Sequence, residues 1–283
     1  MCLGAECDHE NVDRRAFLTG GAAALAGLAA TGVAGADGEK KPPPTRVLDD
    51  PTIRHGKVAF KSGDKEIDGY LARPKAEGKY PAVLVVAGNL ITEEYIPNTC
   101  AALAVAGYVG LAPNIFHPVP KGATPEEMNK ALAGRTDDDY LRDIRAGGDY
   151  LKGHEAVKAG GVGILGFCSG GRRALLFAVK FDDVKAVVAF HPAAHTKPEE
   201  VVGLKVPVQI HHGEADRVSP SAVSRALEKQ LRSQDTPVEV YLYEGAEHGF
   251  MAYTRHPEYK PDAAQEAWKR TVAFPDRSLK KLP

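Results

Sequence analysis

The chain has 283 residues, with 36 Lys and Arg against 37 Asp and Glu, and 43% of its residues are hydrophobic. That length suits one domain of the larger α/β type. The near balance of charge argues against nucleic acid or an anionic membrane surface as a partner.

The first stretch reads as an address rather than as fold. Arg14-Arg15 precedes an uncharged, Ala- and Gly-rich run from Ala16 to Ala36, which closes on Ala34-Gly35-Ala36, a small-x-small cleavage pattern. Residues 1–36 are therefore expected to be a twin-arginine signal peptide, read by the Tat export machinery. The product would be periplasmic or secreted, with no stable membrane association after cleavage. An uncleaved anchor competes, since the run is long enough to span a bilayer, but its hydrophobicity is weak. Cleavage removes Cys2 and Cys7 and leaves Cys100 and Cys168. Two cysteines make no disulfide framework, so the core has to come from apolar burial. Residues 37–54, which include Lys41-Pro42-Pro43-Pro44, are expected to be an extended linker, and 55–283 the folded domain.

Lys57 to Lys61 and Glu66 to Ala72 alternate apolar and polar residues around Gly63-Asp64, the pattern of an antiparallel hairpin. Ala82 to Ala87 is continuously apolar, as in a strand covered on both faces. A helix is predicted over 97–106 and a strand over 108–112. Thr124, Pro125 and Glu127 form a capping-box start for a helix over 125–133, and a further helix is predicted over 137–152. Strands are predicted at 162–167, 185–190, 206–211 and 238–243, with helices at 172–180, 219–232 and 262–274. Alternation of this kind predicts a mostly parallel sheet with helices on both faces and an antiparallel N-terminal edge.

The stretch Gly166-Phe167-Cys168-Ser169-Gly170-Gly171 ends one apolar run and opens a helix. A strand that turns sharply into a helix around a nucleophile needs small residues two before and two after it. Centring on Cys168 puts Gly166 and Gly170 at those positions, whereas centring on Ser169 puts Phe167 where a small residue is needed. Cys168 is thus the candidate nucleophile, and Ser169 lends its backbone N–H to an oxyanion hole. A small buried core cysteine is the bland alternative. Asp216 follows a later apolar run in Gly213-Glu214-Ala215-Asp216, and His248 a third in Glu247-His248-Gly249-Phe250. The order nucleophile, acid, histidine is that of an α/β-hydrolase triad. Outside that role Asp216 would be a turn residue and His248 a surface-loop histidine. His191 is expected to line the pocket. With His195, His211 and His212 it falls near the strand ends, but the spacings match no metal site. No metal and no cofactor are expected.

These motifs, Gly-Phe-Cys-Ser-Gly-Gly at 166–171, Asp216 in Gly-Glu-Ala-Asp-Arg-Val and His248 in Glu-His-Gly-Phe, resemble the dienelactone hydrolase family over roughly residues 55 to 275. The resemblance implies an α/β-hydrolase fold and hydrolysis of a small-molecule ester or lactone through a Cys168-His248-Asp216 triad and a thioester. It also implies a second oxyanion donor, the N–H of Asn89. The family further carries a glutamate at the end of the early strand, where this chain has Gly88; Glu93 and Glu94 follow as a solvated helix start. It implies a carboxylate-binding arginine too, for which Arg135 and Arg172 are candidates. Two other classes compete. One is an exported thiol redox protein using Cys100 and Cys168, although no Cys-x-x-Cys exists. The other is a non-catalytic binding module on a hydrolase fold. The sequence does not identify the natural substrate.

Overall fold

A computed structural model describes residues 46–88, 94–254 and 257–279. The signal at 1–36, the Pro-rich stretch and Asn89 with Glu93 lie outside these residues. The strands are β1 (Ile53–Ser62), β2 (Lys65–Pro74), β3 (Tyr80–Val86), β4 (Val109–Pro113), β5 (Val157–Phe167), β6 (Val184–Phe190), β7 (Val208–Gly213) and β8 (Val238–Tyr243). The helices are α1 (Tyr95–Val105), α2 (Pro125–Leu132), α3 (Asp137–Gly153), α4 (Ser169–Lys180), α5 (Ala222–Ser233) and α6 (Pro261–Leu279). One sheet runs β1-β2-β4-β3-β5-β6-β7-β8. β1 pairs with β2, and β2 with β4, antiparallel; all other pairs are parallel. This is the expected α/β-hydrolase architecture with its antiparallel N-terminal edge.

The central strands are apolar throughout because both of their faces are covered. From Ala82 to Val86 every residue of β3 is buried. Pleat alternation separates the layers. Gly110 on β4 lies against the backbone of Cys100, so α1 covers one face. Leu84 and Pro113 lie against Gly147, so α3 covers the other. Gly166, in register with Val86, lies against Gly170 and puts α4 on the α3 face. The capping box at Thr124 and Glu127 starts α2, as the sequence implies, and Thr136 with Asp139 makes a second box that starts α3.

Three expectations shift. α5 begins at Ala222 rather than Ser219. Ser219 precedes a proline, which disfavours helical backbone, and its N–H is held by Asp216 Oδ1 at 2.7 Å. β7 starts at Val208 and runs on through His212 and Gly213, which pair with Leu242 and Tyr243. The linker expected over 37–54 does not extend through its described part. Val47 and Leu48 are buried, the Val47 N–H donates to Asn98 Oδ1 at 2.7 Å, and β1 begins at Ile53. Apolar side chains at 47 and 48 favour docking on the core over solvation.

The edge hairpin is tied to α3 by a buried carboxylate. Asp143 accepts the Ser62 hydroxyl at 2.5 Å and an Arg135 N–H, with His117 Nε2 at 3.3 Å. Removing one partner of a buried ion pair costs more than the pair itself contributes. Asp143→Ala is therefore expected to destabilise the fold by about 3 kcal/mol. That is a fall of roughly 6–12 °C in melting temperature, read by thermal unfolding against the conservative Asp143→Asn.

Candidate active site

The turn from β5 into α4 places Cys168 at φ 53°, ψ −119°, a backbone conformation that non-glycine residues rarely hold. Its neighbours explain how. A Cβ on Gly166 would stand 2.2 Å from Gly170 O, and a Cβ on Gly170 would stand 2.1 Å from Val86 O. Neither position admits a side chain, so the small-residue rule read from the sequence corresponds to direct backbone contact. Three hydrogen bonds fix the turn: Cys168 N–H to Phe190 O at 3.0 Å, and Ala193 N–H and Arg172 N–H to Cys168 O, each at 3.2 Å. Ser169 opens α4, so the helix itself supplies no carbonyl for its N–H. The Ser169 hydroxyl donates to Gly88 O at 2.9 Å.

Asp216 follows β7 and is buried. Its Oδ1 accepts the N–H groups of Val218 at 2.9 Å and Ser219 at 2.7 Å, while Oδ2 accepts His248 Nδ1–H at 2.8 Å. His212 Nε2 lies 3.3 Å from the same oxygen, donates to Ser219 O at 2.6 Å, and belongs to a fully buried ring. The loops carrying Asp216 and His248 are stitched together. Ala215 N–H donates to Ala246 O at 3.0 Å, and a Cβ on Gly213 would stand 2.2 Å from that same oxygen. Gly249 takes φ 81° just after His248, a value glycine adopts without strain.

Cys168, His191 and His248 each offer a ligand atom within 4.8 Å of the others. His248, His191 and Cys168 thus meet at the carboxyl ends of three strands, as expected for open α/β sheets. Burial pulls the His248 imidazole down. Hydrogen bonds to Asp216 and Cys168 outweigh it and raise the group to about 9. Burial would push the Asp216 carboxyl up, but the bonds from His212, His248 and Ser219 hold it well below the carboxylate range. His191 is the opposite case. It is buried at φ 35°, its ring centroid is 4.2 Å from that of His248, and its Nδ1 has no hydrogen-bond partner. Burial, and then its histidine neighbours, lower it well below the usual range.

Other expectations are redirected. A Cβ on Gly88 would stand 2.6 Å from Phe167 O and 3.0 Å from Cys168 Cβ, so the position has no room for a glutamate side chain. Glu94 turns away to Arg46 and Tyr253, its oxygen 2.7 Å from the Tyr253 hydroxyl. Arg172 is held by Asp137 and Glu200, and Arg135 by Asp143, so neither candidate arginine is free for a substrate. Sequence reasoning missed Arg173. It has no carboxylate partner among the described residues. It stacks on Tyr140 at 3.7 Å, donates to Ser169 Oγ at 3.0 Å, and its Nε is buried without a partner. Only the fold, which brings Tyr140 and Phe116 over it, distinguishes Arg173 from its neighbour Arg172.

A sequence model of the dienelactone hydrolase family matches residues 67–278. The chain belongs to the dienelactone hydrolase family. It is a carboxylic ester or lactone hydrolase by that membership. A Bradyrhizobium relative named as a probable 2-oxo-3-(5-oxofuran-2-ylidene)propanoate lactonase is 33% identical over 217 residues, covering 72% of this chain and 87% of that protein. A candidate carboxymethylenebutenolidase of Methylorubrum extorquens is 30% identical, covering 76% of this chain and 78% of the relative. Among solved structures, a candidate dienelactone hydrolase of Klebsiella pneumoniae superposes with a TM-score of 0.72 at 26% identity, covering 78% of this chain and 98% of that one.

The Asp216–His248 pair has a pH signature. A histidine raised above its unfolded value of about 6.5 adds stability that is full below that value and lost as pH climbs through about 9. A carboxyl depressed from 3.8 adds stability that is full above that value and lost as pH falls. Melting temperature is expected to be highest between about pH 4 and 6.5. In Asp216→Asn both slopes should flatten, as measured by melting curves across pH.

Proposed function

We propose that Cys168, His248 and Asp216 carry out this hydrolysis through a thioester acyl-enzyme. The observation that carries the reading is His248, which donates to Asp216 at 2.8 Å while a ring nitrogen lies within 4.8 Å of a thiol on a strained turn. His248 holds the Cys168 proton while sulfur attacks the ester carbonyl, and the negative oxygen is received by N–H groups, those of Ser169 and Asn89. Collapse of the tetrahedral species breaks the C–O bond, and His248 gives its proton to the departing oxygen. In a lactone that oxygen stays on the acyl chain. Water, deprotonated by His248, then attacks the thioester and releases the acid and the thiol. Asp216 holds the imidazole in one tautomer and stabilises its charged form. His191 walls the pocket beside the acyl group. These steps use no cofactor.

Arg173 supports substrates bearing a carboxylate, because a half-buried guanidinium with no carboxylate partner among the described residues suits that ion. The names of two relatives, a propanoate lactonase and a carboxymethylenebutenolidase, point the same way. A thiol redox role has less support: Cys100 is fully buried, and burial pushes its thiol up. Export through the Arg14-Arg15 signal, with a periplasmic or secreted product, is part of the same reading.

Cys168→Ala is expected to abolish ester hydrolysis, and Ser169→Ala to retain at least roughly a tenth, since its backbone N–H remains. Intact mass after mixing with an activated ester should show one acyl group on Cys168; a dead Ser169→Ala with an active Cys168→Ala would reverse the assignment. In the same assays Arg173→Met should raise KM roughly tenfold or more for a carboxylate-bearing ester and leave a neutral ester near parent values. Changing both signal arginines to lysine should leave uncleaved precursor in the cytoplasmic fraction, and normal export of that variant would refute the twin-arginine reading.

A further inference from the structure

The fold brings together three metal-type donors that no spacing in the sequence connects. Cys168 comes from the turn after β5, His191 from the end of β6 and His248 from the loop after β8. We propose that Cys168 Sγ, His191 and His248 form a site for one thiophilic divalent cation of the zinc class, and that its occupation reversibly blocks the hydrolase. The proposal rests on the reading of Cys168 and His248 as nucleophile and base, and it adds a ligand that does not belong to the triad.

The chemistry of the donors sets the ion. One thiolate and two imidazoles suit zinc, cobalt or cadmium and disfavour magnesium and calcium, which require oxygen ligands. Donors on a single tetrahedral zinc stand roughly 3.3–3.8 Å apart, given Zn–S and Zn–N bonds of about 2.3 and 2.0 Å. The three atoms here already lie within 4.8 Å of one another, so side-chain rotation of about 1 Å completes the triangle. With three protein ligands, a fourth position stays open to water.

Two further features prepare the site. His191 is 4% exposed, and its Nδ1 has no hydrogen-bond partner among the described residues, an orphaned polar atom that buried histidines normally avoid. Behind His248, Asp216 holds Nδ1–H at 2.8 Å, the carboxylate–histidine arrangement that orients a metal-bound imidazole and raises its basicity. The charges also balance, since a divalent ion meets one thiolate and one carboxylate behind the ring.

Binding forms one metal–sulfur and two metal–nitrogen bonds. It releases one proton to solvent, from the thiol or from the imidazolium that holds it, and nothing is oxidised or reduced. The ion then occupies the electron pairs that attack the ester and accept its proton. Hydrolysis stops until a chelator removes the ion.

The test uses the full folded chain stripped of metal. Cobalt(II) titration should give one equivalent bound, with a thiolate-to-cobalt charge-transfer band in the near ultraviolet. Zinc should displace cobalt, inhibit hydrolysis of an activated ester, and protect Cys168 from iodoacetamide; EDTA should restore hydrolysis and the reaction of Cys168 with iodoacetamide. His191→Ala, with its fold checked by melting temperature, is expected to weaken zinc binding by at least about tenfold, the smallest loss usual for perturbing even an outer-shell partner. His195→Ala, a change at an exposed histidine four residues on, should bind as the parent does. Equal zinc affinity in His191→Ala and parent would overturn the proposal, as would cobalt binding without the charge-transfer band. Failure of the hydrolase reading has a different signature: the band would be present, while Cys168 would take no acyl group from the ester.

Discussion

The contact of two backbones where β5 runs into α4 governs this molecule. Gly166 and Gly170 approach so closely that a single methyl group at either would meet a carbonyl oxygen near 2 Å. That closeness forces the chain into a sharp turn and leaves Cys168 in a conformation costing about 1–3 kcal/mol. The surroundings over-determine it, through the Cys168 N–H bond to Phe190 O and the bonds that Ala193 and Arg172 N–H groups donate to Cys168 O. Gly213 against Ala246 is the same device on the other side of the site, drawing the acid loop onto the histidine loop. In both places the absence of a side chain sets the position of a reactive one.

Two imidazoles with ring centroids 4.2 Å apart show how environment sorts one residue type into different roles. His248 has a carboxylate behind it and a sulfur in front, and these outweigh its burial. His191 is buried with no hydrogen-bond partner for its Nδ1 among the described residues, and desolvation dominates. Asp216 makes the difference, and it is itself fixed by two backbone N–H groups and His212. The charge at this site is therefore arranged around one carboxylate that is never bare.

Local patterns in the sequence carried the elements and the three triad candidates. The edge strands β1 and β2 alternate apolar and polar residues, the parallel strands carry apolar runs, and Cys168, Asp216 and His248 each follow such a run. The capping box at Thr124 was equally legible. What was not legible depends on register and burial. Arg172 and Arg173 are indistinguishable in one dimension, yet one is locked by Asp137 and Glu200 and the other is not. Gly88 looked like a vacancy left by a missing glutamate, whereas the fold gives it no space for a side chain. The start of α5 moved because Asp216 captures the backbone of Ser219, a contact that helix propensity does not encode.

The order of strands has a kinetic consequence. Asp216 and His248 are 32 residues apart, and the parallel pairs beneath them join segments separated by whole helices. Non-local pairing of this kind closes late, after the entropy of long loops has been overcome. Until β7 and β8 dock beside β6, Cys168 has no His248 near it and His248 has no Asp216. The meeting of Asp216 with His248 therefore waits on the register of the β7–β8 pair, a long-range pairing rather than a local one.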